Sequence, residues 1–219
     1  MRSARFVLCT AAIVAGGWTK TLIFIVLSPL IGLVLGFTIM VSVYWIFHRR
    51  ERVEGLNRGF RRMQLVSAAA FSLGHGANDA QKTMGIILAV LIANNIVPAD
   101  SDVPLWVVLA SHTAIGLGTL FGGWRIVHTM GSKITKITPV GGMSAELAAA
   151  STLFFTARAG IPVSTTHTIT GAIVGVGTTQ RLSAVRWGVA SRVVWAWVLT
   201  IPGAFVVAYI IYLPLKGFG

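Results

Sequence analysis

Two short segments gather polar side chains inside otherwise apolar stretches. The first is Gly74-His75-Gly76-Ala77-Asn78-Asp79, followed closely by Gln81, Lys82 and Thr83. Its two glycines let a chain turn and approach a ligand closely. A helix resuming after Asp79 would present free N–H groups and the positive end of its dipole, which is an anion site in outline. Asp79 could cap that helix and also supply a carboxylate to a cation or proton. Asn78 and Gln81 offer neutral donors and acceptors, and Lys82 adds positive charge. The bland alternative makes Asp79 a cap paired with Lys82 and His75 a packing histidine. For His75 alone packing is the better reading. For Asn78 and Asp79 together function is, because a carboxylate at membrane depth is expensive.

The second segment is Ile161-Pro162-Val163-Ser164-Thr165-Thr166-His167-Thr168, opening a run that continues through Gly171, Gly175 and Gly177. Proline near a helix start is favourable, and consecutive hydroxyls there cap amides or face a bound oxyanion. Hydroxyl residues in membrane helices more often bond their own backbone or a neighbouring helix. Taken singly, each is ambiguous; as a run behind Pro162 they read as a ligand-facing helix start. Gly171, Ala172 and Gly175 read as close-packing positions. Glu146, another carboxylate in an apolar stretch, either joins a cation path or pairs with a basic residue, and both readings stand. No Cys/His metal cluster, phosphate-loop lysine or spaced carboxylate pair supports covalent chemistry.

The elements that carry these segments must lie in a bilayer. Of 219 residues, 55% are hydrophobic and 11% charged, with a mean hydropathy of +0.79. Soluble domains carry about a quarter charged residues, so a soluble enzyme is ruled out. Eighteen basic residues against six acidic ones give a net charge of +12. The bases stand in short clusters between apolar runs, as in cytoplasmic loops, rather than on the polar fold of a nucleic-acid binder. Cys9 is the only cysteine, so no intrachain disulfide forms.

At about 20 residues per span, the chain predicts an all-α integral membrane protein of about five to seven membrane segments. Residues 1–20 form an N-terminal segment and 21–219 a single membrane domain. A span from Thr21 to Phe47 leads to a basic cytoplasmic loop, 48–62. Met63 to Val97 reads as two helices meeting at a break at the first motif. Pro98 to Pro104, with Asp100 and Asp102, lies outside, and Leu105 to Trp124 returns to a basic exit at Arg125, Lys133 and Lys136. Met143 to Ala157 and Val163 to Thr178 form a full or re-entrant hairpin with both flanks cytoplasmic. Trp187 to Leu215 is the last span.

The stretches from His75 to Gly85 and from Pro162 to Ala172 resemble the two signatures in the C-terminal half of inorganic phosphate transporters of the PiT type. The likeness extends from roughly Trp18 to the end, and the Asn-Asp-x-Gln-Lys form is similar to the bacterial branch. The resemblance implies a secondary transporter of the cell membrane that moves phosphate with Na⁺ or H⁺, built from two inverted repeats with the site between them. It implies that Asn78, Asp79, Ser164, Thr165 and Thr166 line the phosphate and ion sites, with Asp79 the candidate Na⁺ ligand. Gln81, Lys82 and Thr83 are adjacent candidates, and His75, His167 and Glu146 further ones. The family's first Gly-x-Asn-Asp segment and its Thr-Thr-His partner do not occur here. The chain is therefore expected to be the second half, working with an N-terminal half-transporter or as a homo-oligomer. Rival readings are a permease for sulfate or a related oxyanion, a truncated non-transporting membrane subunit and, last, a membrane enzyme of phosphoryl groups.

Overall fold

A computed structural model describes residues 15–47 and 53–217. Six long helices follow one another: α1 (Ala15–Phe47), α2 (Val53–Ala93), α3 (Leu105–His128), α4 (Pro139–Arg158), α5 (Thr165–Thr178) and α6 (Trp187–Gly217). A π-helical turn, Thr129–Ile134, extends α3, and a 3₁₀ turn, Leu182–Ala184, precedes α6. The described residues contain no strand. The protein is an all-α membrane protein. Three helices are apolar and long enough to cross a bilayer, through Thr19–Phe47, Leu105–Trp124 and Trp187–Pro214. Large side chains on them, among them Leu30, Val34, Phe121, Trp124, Trp195 and Phe205, are exposed, as lipid-facing residues must be.

Lipid is as apolar as leucine, so helices here associate through close packing and internal hydrogen bonds rather than hydrophobicity. α5 lies against α1 and α4, and glycines set the distance. Gly32 and Gly36 on α1 meet the Thr168 and Ala172 backbone, while Gly171 and Gly175 on α5 meet the Pro29 and Leu33 carbonyls. Each pair is spaced by four residues, one helical turn, so two small-residue faces bring the backbones together. The expectation that Gly171, Ala172 and Gly175 serve packing holds. Several buried hydroxyls are satisfied locally: Thr152 donates to Ala148 C=O at 2.8 Å, Thr156 to Thr152 C=O at 2.9 Å, and Thr168 to Ser164 C=O at 2.9 Å.

The expected hairpin forms, and its turn is built from sequence. Gly160 takes φ +63°, the left-handed conformation glycine adopts without cost. Ile161 N–H then reaches Thr156 C=O at 2.9 Å and Gly160 N–H reaches Ala157 C=O at 3.2 Å, closing α4 in a Schellman motif. The Arg186 N–H bonds Ile134 C=O at 2.8 Å, and Gly177 packs on Thr135 and Val185. These contacts bring both flanks of the hairpin, with Lys133, Lys136, Arg181 and Arg186, to one end of the bundle.

Three expectations are corrected. No break occurs between Gly74 and Thr83: α2 runs unbroken for 41 residues, and Met63 to Val97 is not two helices. A glycine costs only about 1 kcal/mol inside a helix, and Ala77, Ala80, Gln81, Lys82 and Met84 around the pair are good helix formers. Gly74 is used for packing instead, since a Cβ there would lie 3.4 Å from Leu153 Cβ. In consequence Asp79 caps nothing, and no free amides follow it. The basic loop 48–62 is also shorter than expected. Residues 48–52 lie outside the described residues, but from Val53 the stretch is helical, with Arg58, Arg61 and Arg62 exposed. Phe60 is buried there edge-on to Phe47, ring centroids 5.3 Å apart, which ties α2 to the end of α1. Finally, residues 15–20 already belong to α1, so the first helix begins before Thr21; residues 1–14 lie outside the described ones.

Candidate functional site

α2 and the tip of the α4–α5 hairpin meet at Asp79. On α2 the side chains of His75, Asp79 and Lys82 stand three and four residues apart, neighbours on one helical face. Lys82 Nζ lies 3.1 Å from Asp79 Oδ1, and His75 Nε2 lies 3.5 Å from Oδ2. Across the junction, the Thr165 hydroxyl donates to Asp79 Oδ2 at 3.3 Å, and Lys82 Nζ donates to the Val163 carbonyl at 2.7 Å. The two motifs, 86 residues apart at Asp79 and Thr165, thus share one carboxylate.

The hairpin side is a helix start. Pro162 and Val163, outside any helix, lead to Ser164, whose φ of −89° and ψ of 116° place it outside the helix as N-cap. Its hydroxyl accepts the His167 N–H at 3.4 Å. The amides at the start of a helix have no acceptor inside it, and Thr165 and Thr166 both line a cavity of about 460 Å³. The remaining lining is Thr21 and Ile25 of α1, Asp79 and Lys82 of α2, and Pro162, Val163 and Ser164. One wall therefore carries the positive end of α5 and an ammonium, which suit an anion. The Asp79 carboxylate beside them suits a cation.

Several candidates fall elsewhere. Asn78 is 4% exposed and does not line the cavity; its Nδ2 has no hydrogen-bond partner. Gln81 and Thr83 are exposed on α2 and are not part of the lining either. His167 stacks on Trp197 of α6 with ring centroids 3.8 Å apart, and its Nδ1 lies 3.4 Å from the Ile25 carbonyl. Glu146 lies apart from this cavity. It accepts from Ser67 at 2.6 Å and from Gln64. Ser67 precedes Asp79 by about 18 Å of helix at 1.5 Å per residue, which separates Glu146 from the junction. Nothing in the residues around Thr21 or Trp197 marks either one for the site. The exposed carbonyl of Ile25 is marked by Pro29, four residues on, which lacks the N–H that would have bonded it.

Comparison with known proteins matches this geometry to others. The profile of a family described as the phosphate transporter family matches residues 4–208. A protein of Rhizobium meliloti (strain 1021) named "Probable low-affinity inorganic phosphate transporter" is 53% identical over 202 residues, covering 92% of this chain and 60% of its own. A protein of the same name from Bacillus subtilis (strain 168) is 44% identical over 206 residues, covering 94% of this chain and 62% of its own. The chain thus spans about 60% of the length of these relatives. A solved structure described as "The sodium-dependent phosphate transporter" superposes with a TM-score of 0.60 at 24% identity, over 82% of this chain and 53% of that one. That likeness is one of fold.

Proposed function

The chain belongs to the phosphate transporter family, and from that premise we propose that it moves inorganic phosphate across the cell membrane in symport with a cation, Na⁺ or H⁺. In this reading it is a multi-pass protein and the C-terminal half of a larger carrier, completed by an N-terminal half or a second copy. One observation carries the assignment. A carboxylate, an ammonium and the open start of a helix, drawn from two separate motifs, converge on one cavity.

Phosphate oxygens meet the first amides of α5 and the hydroxyls of Thr165 and Thr166, with the Lys82 ammonium beside them. Ser164 holds the cap that keeps this helix start in place. Asp79 binds the cation or proton, whose charge offsets that of the anion. Rocking of one half of the carrier against the other would expose the junction to either side of the membrane in turn.

The test is uptake of labelled phosphate into proteoliposomes containing the chain alone, then together with an N-terminal half from a relative, with Asp79→Asn as control. Saturable uptake abolished by the substitution is expected in at least one of the two preparations. Uptake indifferent to Asp79→Asn would remove the site assignment. Competition by sulfate separates the two oxyanions, because phosphate changes protonation near neutral pH and sulfate does not.

A further inference from the structure

A coupling cation at this junction would need oxygen ligands, since hard cations select carboxylate, carbonyl and hydroxyl oxygens. In carriers the carbonyl often comes from unwound backbone beside a helix end. The junction holds such a set: the Asp79 carboxylate, the Val163 carbonyl in the lead-in to α5, and the Thr165 hydroxyl 3.3 Å from Asp79. Two of these oxygens are already taken by Lys82, whose Nζ lies 3.1 Å from Asp79 Oδ1 and 2.7 Å from Val163 O.

We propose that the Lys82 ammonium is a tethered counter-cation standing where a coupling Na⁺ would sit, so that Asp79 is neutralised from within and the anion binds without Na⁺. The inference rests on reading the cavity as the phosphate site, and it narrows the choice of cation left open there. An ordinary helix-face pair would need only Asp79, three residues away. The bond to Val163 spans 81 residues of sequence and is the shorter of the two. It adds a backbone oxygen to the ammonium's partners, while the side chain itself stays 43% exposed. The charge count agrees. Asp79 and Lys82 are the ionisable residues of the lining, so the empty cavity is balanced. A Na⁺ entering the same oxygens would meet a like charge at contact distance, which disfavours it.

Lys82→Met removes the charge and keeps the apolar stem, Lys82→Gln keeps a donor for Val163 without charge, and Lys82→Arg keeps both. The readout is the thermal unfolding midpoint of the purified chain in sodium chloride and in choline chloride at equal ionic strength. The parent chain and Lys82→Arg are expected to unfold at the same temperature in both media. Lys82→Met or Lys82→Gln is expected to gain a stabilisation specific to Na⁺. Should the parent itself be stabilised by Na⁺, or should both neutral variants drop equally in the two salts, the lysine is an ordinary ion-pair partner and the proposal falls. Phosphate uptake gives a second arm: the parent rate is expected to be unchanged by replacing Na⁺ with choline, while Lys82→Gln becomes Na⁺-stimulated by on the order of tenfold. Absence of uptake in every medium would count against the phosphate reading. The unfolding comparison would still decide the role of Lys82.

Discussion

The two motifs reach the same junction by opposite means. Residues 74–83 keep every turn of α2, and their chemistry is in side chains, those of Asp79 and Lys82. Residues 161–164 leave the helix altogether, so the chemistry there belongs largely to the main chain: the Val163 carbonyl and the first amides of α5. Both segments contain residues that tolerate a bend. The difference is that Pro162 and Ser164 direct a helix to start, whereas Gly74 and Gly76 only weaken one. A start needs an alternative acceptor for its amides, which the Ser164 hydroxyl supplies. On α2 the Asp79 carboxylate, which could have served so, is held by Lys82 and Thr165 instead.

Substitutions on each side test this contrast. The largest effect is expected where backbone meets backbone. Gly171→Val would drive a side chain into the Pro29 carbonyl, and over-packing at such a contact costs about 3 kcal/mol or more. The α1–α5 seam should open, lowering the unfolding midpoint in detergent and removing phosphate binding with it. Next comes Asp79→Asn, which leaves Lys82 without its charged partner. Loss of a charge-assisted pair of about 2–3 kcal/mol predicts a fall on the order of 100-fold in uptake rate, with little change in helix content by circular dichroism.

On the hairpin side, Ser164→Ala removes the cap and should cost about 1 kcal/mol, seen as a roughly fivefold weaker phosphate affinity, while Ser164→Thr stays near the parent. The smallest effect has an informative sign. A Cβ at Gly76 would meet nothing within 4 Å, so Gly76→Ala in a continuous helix should stabilise by roughly 0.5–1 kcal/mol. A lower midpoint for this variant would mean that α2 bends there after all.

Much of the architecture is legible in the residues. The apolar stretches at Thr21 to Phe47, Leu105 to Trp124 and Trp187 to Leu215 agree closely with the spans of α1, α3 and α6. Gly160 before Ile161-Pro162 announces the hairpin turn, and Ser164 behind Pro162 announces α5. The same reading fails at Gly74 to Thr83, because polarity in a membrane segment does not require broken backbone. There Asp79 and Lys82 bond the facing hairpin, a partner that local sequence does not contain. Glu146 shows the same dependence: its position in an apolar run marks it as unusual, but only the neighbouring α2 decides that Ser67 and Gln64 hold it.

Composition, apolar run length and capping residues are properties of consecutive residues, so the chain alone settles that this is a helical membrane protein with a turn at Gly160 and a helix start at Ser164. Which carboxylate answers which hydroxyl depends on contacts between segments more than 80 residues apart, as Lys82 with Val163 shows. That choice is made by the spacing of the glycine seam and by which helices it allows to approach, and only the folded chain fixes it.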